Sequence, residues 1–200
     1  MTRYNRQETE SLLVAAVGDL IEIRGFDAVG VNAVARQAGV DKVLIYRYFE
    51  GLDGLLAAYA ESADLWPTVD EMLAPGVEDL AGARPSEVAL RVLVNTAQGI
   101  RRRSLAIELL AWECNNRNAL TIALEEVRER RTTEVLEALR GVGEFDPEMA
   151  VAGSIIAASI NYFALRGRNI RIFGGLDIRS DDGWQVMFDA WRRMLSGFDP

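Results

Sequence analysis

The chain has 200 residues, half of them hydrophobic, and a net charge of −8 at pH 7. This length suits one large core, or a small domain joined to a larger one. The sequence contains no histidine and a single cysteine. It therefore excludes an internal disulfide and a zinc site of the usual kind, and it lacks the commonest general base. We expect neither a metal nor a cofactor.

The hydropathy pattern predicts a cytoplasmic protein with no membrane partner. No run of about 18 apolar residues indicates a membrane span. The first residues, MTRYNR, lead into a polar stretch and not into an apolar signal segment. The acidic net charge argues against a general nucleic-acid coat. It still allows a sequence-specific reader, because only the DNA-facing patch must be positive.

The spacing of apolar residues predicts an all-α chain. Apolar side chains recur three and four positions apart, and no segment shows the alternation typical of a strand. Glycine, proline and Asx residues mark the breaks. These signals predict helices over about residues 6–24, 31–37, 42–49, 52–65, 86–103, 104–115, 118–139, 147–166 and 182–196. Residues 67–84 are predicted to be irregular or to contain a short helix.

The segment Val31–Phe49, VNAVARQAGVDKVLIYRYF, predicts two short helices joined by a tight turn. Gly39 permits the bend of the backbone, and Asp41 is a good N-cap for the second helix. The two helices are expected to pack through small and branched side chains: Val34, Ala35, Ala38, Ile45 and Phe49. This arrangement is the geometry of a DNA-reading helix-turn-helix.

The opposite side of the second short helix carries the candidate DNA-contacting residues. They are Lys42, Val43, Tyr46 and Arg47, with Leu44 and Tyr48 at the flank and Asn32 from the first short helix. Lysine, arginine and tyrosine side chains suit contact with phosphates and base edges. Alternatively, Tyr46 and Tyr48 are half-buried aromatics that only anchor the helix. Arg3 and Arg6 either touch phosphates or belong to a solvated tail.

Residues 13–56 resemble the TetR (tetracycline repressor) family. The matching stretches are Gly25-Phe26-Asp27, residues 34–42 (VARQAGVDK), residues 45–49 (IYRYF) and Leu55-Leu56. The resemblance implies DNA contact by Lys42, Tyr46 and Tyr48. The sequence departs from the family where Val29 and Gly30 stand in place of the usual threonine or serine. It departs again at Leu44 and Leu52, which replace a threonine and a lysine that often touch DNA. Leu44 instead suits apolar contact with a thymine methyl group.

The resemblance also implies the domain organisation. A helix-turn-helix domain of three helices is expected over residues 1–51, and a helical bundle for ligand binding and dimerisation over residues 52–200. Beyond about residue 60 the likeness lies in layout and not in motif. The implied protein is a homodimeric transcriptional regulator, most simply a repressor, that leaves a palindromic double-stranded DNA operator when it binds an unidentified small-molecule effector.

Two helices are candidates for the dimer interface. Residues 147–166 are dense in small side chains, which allow close approach of helices. The last helix has a stripe of large side chains: Trp184, Met187, Phe188, Trp191 and Leu195. The alternative is that both helices pack inside one subunit.

Aromatic and polar side chains of the second domain are candidates for the effector site. They are Trp66, Leu93, Leu109, Trp112, Asn116, Tyr162 and Phe163. Trp112 and Tyr162 are favoured, because each combines a large apolar face with one polar group. The alternative for each residue is an ordinary place in the core.

An enzyme is not expected, because no histidine is present to activate a hydroxyl and the only lysine, Lys42, belongs to the candidate DNA reader. Two alternatives stay open: a regulator that responds to no small molecule, and activation in place of repression. Cys114 is expected to be a buried thiol within a helix, and the alternative is a reactive or sensing thiol.

Overall fold

The protein's structure, a computed structural model, describes residues 5–62, 64–142 and 145–199. Within these residues it contains ten α-helices and one two-stranded hairpin, so the predicted all-α class is confirmed. The chain forms two compact units. The first comprises the residues up to Asp64 together with Trp112–Glu129, and the second comprises Leu65–Ala111 and the residues from Arg130 onward. The predicted functional division between residues 51 and 52 stays a prediction.

Four helices form the N-terminal part of the first unit: α1 (Arg6–Arg24), α2 (Val31–Ala38), α3 (Val43–Phe49) and α4 (Leu52–Ser62). Helix α1 packs against α2 and α4, and α3 packs against α4. The apolar side chains at three and four spacing supply the contacts. The most deeply buried of them are Leu13, Val17, Leu20, Val34, Ile45 and Leu55.

The first turn of α1 is fixed by reciprocal hydrogen bonds. The side chain of Asn5 accepts a hydrogen bond from the Glu8 amide at 2.9 Å, and the Glu8 carboxylate accepts one from the Asn5 amide at 2.9 Å. The buried Thr9 hydroxyl donates to the Asn5 carbonyl at 2.9 Å. This capping box satisfies amide groups that a helix start otherwise leaves unpaired.

Helix α4 approaches α1 closely at Gly18. A Cβ atom at this position would lie 3.3 Å from Cε2 of Tyr59, so glycine leaves room for the tyrosine ring. Tyr59 is buried. Burial, together with the negative charge of Glu22, raises the pKa of Tyr59 to about 12.

Six further helices complete the described structure: α5 (Val69–Leu73), α6 (Pro85–Arg101), α7 (Ser104–Glu113), α8 (Ala119–Leu139), α9 (Pro147–Arg166) and α10 (Asp181–Leu195). The nine predicted helices are all present, and their ends agree within three residues. Helix α5 is the short helix that the sequence allows over residues 67–84. Its capping box, formed by Thr68 and Glu71, is visible in the sequence as Thr-x-x-Glu.

The large side chains of α10 lie in the core of the second unit. Trp184, Met187, Phe188, Trp191 and Leu195 are all buried, and they pack with apolar residues of α6 and α9. Leu93, a candidate for the effector site, belongs to the same core. The prediction that this stripe of α10 forms the dimer interface is therefore wrong. A helix at the edge of a bundle must first cover its own subunit's core, and the widest apolar face serves that purpose.

A short hairpin after α9 corrects the prediction that the chain has no strands. Strand β1 (Ile172–Phe173) pairs antiparallel with β2 (Leu176–Asp177). Gly174 and Gly175 join them with φ angles of 55° and 86°. Positive φ at both central residues is typical of the tight hairpin turn, and Gly-Gly is one of its sequence signals.

Candidate nucleic-acid interface

The turn between α2 and α3 has the backbone geometry that the sequence predicts. Gly39 ends α2 in the left-handed conformation, with φ 68° and ψ 28°. Its Cβ would meet no atom within 4 Å, so the positive φ and not a lack of space requires glycine. The Asp41 carboxylate accepts a hydrogen bond from the Val43 amide at 2.9 Å, which caps the start of α3.

Burial divides α3 into two sides. Ile45 is completely buried, and Val34 and Ala35 of α2 are buried with it in the first unit. The candidate DNA-contacting residues Lys42, Val43, Tyr46 and Arg47 are exposed, and Leu44 and Tyr48 are half-buried at the flank. Tyr46 keeps 57% of its surface exposed although the helix has only seven residues. An aromatic side chain this exposed on so short a helix is available to a partner.

Two basic groups near α3 lie against one aromatic ring. The guanidinium carbon of Arg6 lies 5.2 Å from the centre of the Tyr48 ring, and that of Arg47 lies 5.9 Å from the same centre. Both distances lie within the range of cation–π attraction. Arg6 thus belongs to an ordered helix and not to a solvated tail, whereas Arg3 lies outside the described residues.

Asn32 is exposed on the first turn of α2. Gly30 precedes this helix as its N-cap and has no side chain to accept a hydrogen bond. DNA contact by Asn32 and by the candidate residues on α3 stays a prediction.

Two of the candidate effector-binding residues lie in the first unit. Trp112 stacks on Phe26, with 5.0 Å between ring centroids, and its indole N–H donates to the Asp27 carboxylate at 3.3 Å. Asn116 donates to the Trp112 carbonyl at 2.8 Å. Both the ring and the polar group of Trp112 are therefore engaged with the short turn that precedes α2.

The other five candidates of this kind lie in the second unit, and Leu93 belongs to its core. Leu109 is buried, and Trp66 and Phe163 pack against the core around α10. Tyr162 is 48% exposed and forms a triangle of edge contacts with Phe163 and Phe173, with ring centroids 5.5 to 6.0 Å apart. The structure thus brings Tyr162 and Phe163 together. It also adds Phe173, whose only sequence signal is the Gly-Gly turn beside it. Ligand binding stays a prediction for all these residues.

The outer face of α9 and α10 carries exposed apolar side chains. Val151, Ile155 and Tyr162 lie on one side of α9 and are 62%, 63% and 48% exposed. Val186 and Met194 of α10 are 53% and 55% exposed. These five residues form the outer apolar face. Helix α9 is also long and apolar enough to match a membrane span by length and composition, which by itself is weak evidence of one.

The prediction for Cys114 is wrong. Helix α7 ends at Glu113, and the thiol lies exposed in the turn that follows. The amides of Asn115 and Asn116 turn back to bond the carbonyls of Trp112 and Glu113, which ends the helix before the cysteine. Among the residues that the structure describes, no three acidic or cysteine side chains converge on a possible metal position.

A helix-turn-helix with an exposed basic and tyrosyl face, followed by a helical domain, defines a DNA-binding transcriptional regulator. Residues 12–59 match the family described as "Bacterial regulatory proteins, tetR family". The match places the helix-turn-helix segment of the chain in this family. No curated protein matches the chain in sequence.

Several solved structures share the fold over more than nine-tenths of the chain. A tetR-family transcriptional regulator from Streptomyces coelicolor is 18% identical, with a TM-score of 0.57, over 98% of this chain and 92% of its own. FadR from Thermus thermophilus, in complex with lauroyl-CoA, is 22% identical, with a TM-score of 0.53, over 93% and 92%. RolR in complex with resorcinol is 20% identical, with a TM-score of 0.54, over 94% and 88%. At these identities the likeness concerns the fold.

Proposed function

We propose that the protein is a homodimeric, cytoplasmic transcriptional repressor that binds a palindromic DNA operator through α3 and leaves it when a small-molecule effector binds. The observation that supports this most directly is the division of α3, where Ile45 is buried while Lys42, Tyr46 and Arg47 are exposed. No catalytic step is part of this function.

The exposed side of α3 offers two kinds of DNA contact. The ammonium group of Lys42, the guanidinium group of Arg47 and the hydroxyl of Tyr46 are donors for phosphate oxygens. Val43 and Leu44 offer apolar contact to thymine methyl groups in the major groove. Binding rests on this small positive patch, because residues 1–60 contain six basic and eight acidic side chains. Affinity should therefore fall as salt rises.

Dimerisation is supported by the outer apolar face. Monomeric proteins rarely leave several large apolar side chains exposed on neighbouring helices, and α9 and α10 pack side by side. In a two-fold interface the same face is used by both copies. Two α3 helices about 34 Å apart would then read the two halves of a palindrome.

Release by an effector is supported by the relatives that bind small molecules, since FadR was crystallised with lauroyl-CoA and RolR with resorcinol. The residues proposed to meet the effector are Trp66, Leu109, Trp112, Asn116, Tyr162 and Phe163. Leu109 and Trp112 lie one turn apart on α7, and Trp112 contacts the segment that leads into α2. A ligand that displaces α7 would disturb this contact. Its effect on DNA binding is limited to its differential affinity for the two states, typically about 1–3 kcal/mol.

A gel-shift titration on the DNA that flanks the protein's own gene tests this function. The wild-type protein should give a sharp shift that weakens with salt, and Tyr46→Ala should abolish it. Tyr46→Phe is the matched control: it keeps the ring and loses only the hydroxyl, so a partial loss would assign the hydroxyl to a phosphate. A shift that Tyr46→Ala leaves intact would contradict the assignment of α3 as the reading helix.

The effector is tested on the same complex. Phenols and acyl-CoA thioesters, the classes represented by resorcinol and lauroyl-CoA, should be added to the preformed complex, and one of them should release the DNA. If DNA binding is confirmed but no cavity-filling compound changes it, the protein is a regulator without a small-molecule effector. A promoter fused to a reporter gene measures the direction of regulation. If the protein raises expression of the reporter, it is an activator and not a repressor.

A further inference from the structure

Arg6 lies at the opposite end of α1 from the chain's turn into α2, yet it contacts the flank of α3. Its guanidinium carbon is 5.2 Å from the centre of the Tyr48 ring, and its Nε donates to the Glu10 carboxylate at 2.7 Å. The capping box of Asn5 and Glu8 fixes the backbone from which this side chain extends. Two contacts thus position the Arg6 side chain, although it is 69% exposed.

The donors of Arg6 are only partly used. The bond to Glu10 occupies Nε, and the described part of the chain supplies no hydrogen-bond acceptor for the two terminal nitrogens. Arg47 lies beside the same ring, 5.9 Å from its centre, and likewise has no acceptor among the described residues. Two planar guanidinium groups with unused donors, held by one aromatic ring, match the oxygen pattern of phosphates.

We propose that Arg6, together with Tyr48 and Arg47, forms a phosphate clamp that grips the DNA backbone beside the reading helix. Tyr48 positions the two guanidinium groups, and Arg6 contacts phosphate directly. The inference rests on the proposed role of α3 as the reading helix. It adds a contact from α1 to the positive charges of Lys42 and Arg47.

Removing the charge of Glu10 should change DNA affinity in the opposite direction to removing Arg6. Its carboxylate accepts from Arg6 and would lie close to the phosphate that Arg6 grips, where its charge opposes binding. Glu10→Gln keeps an oxygen acceptor for Arg6 and removes the charge. If Arg6 touches phosphate, this change should strengthen DNA binding. If Arg6 only stabilises α1, the change should leave binding unchanged or weaken it.

The test measures the affinity of the full chain for a 30-base-pair duplex of arbitrary sequence by fluorescence anisotropy, at several salt concentrations. A phosphate contact acts on any sequence, so the operator need not be known. Arg6→Ala should weaken binding at low salt and lower the slope of log affinity against log salt by about 0.9. The affinity gap to wild type should therefore shrink about 3.5-fold between 50 and 200 mM salt. Arg24→Ala, at the other end of α1, is the matched control and should change neither quantity.

Arg6→Lys separates charge from geometry. It should keep the salt slope, because the charge remains, but bind more weakly than wild type, because an ammonium lacks the planar fork. Circular dichroism melts of each variant show whether α1 stays folded. A folded Arg6→Ala protein with the wild-type slope would overturn the clamp, even if Tyr46→Ala abolishes binding and so supports the reading helix. Wild-type protein that binds no duplex at low salt would overturn both.

Discussion

Replacing Ile155 by arginine should separate the dimer while leaving each subunit folded. Ile155 is 63% exposed on the outer apolar face, so its own subunit gains little from it. In a two-fold interface it would be covered by the same face of a second copy, and one substitution acts on both copies at once. Each of the two copies would then have to bury one arginine guanidinium in the interface.

The structure sets the size of the effect. Burying a Val, Ile or Met side chain completely contributes about 1.5–3 kcal/mol, so five side chains that are about half exposed contribute about 1 kcal/mol each. Two copies then gain about 10 kcal/mol, against an association cost of about 4–15 kcal/mol. Ile155→Arg removes about 2 kcal/mol of this gain. Since about 1.4 kcal/mol is a factor of ten, the dimer Kd should rise about 30-fold from lost apolar burial alone.

Light scattering behind a sizing column, or sedimentation over a range of concentrations, measures this change. Leu136→Arg is the matched control, because Leu136 is 56% exposed in α8 and lies outside the outer apolar face. The Ile155→Arg protein should also lose its gel shift, since a single α3 reads only half a palindrome. A wild-type protein that is monomeric at micromolar concentration, or an Ile155→Arg variant that dimerises like wild type, would refute the interface.

Two further predictions concern the first unit. Ile45→Ala should lower the free energy of unfolding by about 2–5 kcal/mol, because Ile45 is completely buried. Val43→Ala is the control and should change the free energy of unfolding little, because Val43 is 59% exposed. Equal urea midpoints for the two variants would contradict the packing of α3. Raising the pH should lower the free energy of unfolding through Tyr59. The pKa of Tyr59 is raised to about 12 in the folded protein, whereas an unfolded tyrosine ionises at about 10. Between these values only the unfolded chain gains the negative charge, and this gain favours unfolding. Tyr59→Phe should therefore lose less stability than wild type between pH 8 and pH 11, and identical losses in urea titrations at the two pH values would contradict this.

The local structure of the DNA-binding segment was predictable from the sequence. Gly39 and Asp41 each act within a few residues of their own position, through a positive φ and a bond to the Val43 amide. The three and four spacing of apolar residues likewise identifies the buried side of α3, because it is a property of any single helix. Such signals need no knowledge of which distant segments meet.

Contacts between distant segments were not predictable. The stripe of α10 around Trp184 is equally suited to a core or to an interface, and only the packing of α6 and α9 against it shows that it belongs to the core. Arg6 and Tyr48 are far apart in sequence, and the residues around neither of them indicate that the two side chains are in contact. Phe26 and Trp112 meet in the same way.

The sequence by itself determined the helical class, the helix-turn-helix and the exposed residues of α3, since periodicity and turn chemistry act over single helices and single turns. The tertiary structure decided which apolar faces remain uncovered, where Trp112 lies and which basic groups gather at Tyr48. The physical reason is that burial and charge pairing depend on the neighbours that packing supplies, and one strip of apolar side chains can satisfy several different neighbours equally well.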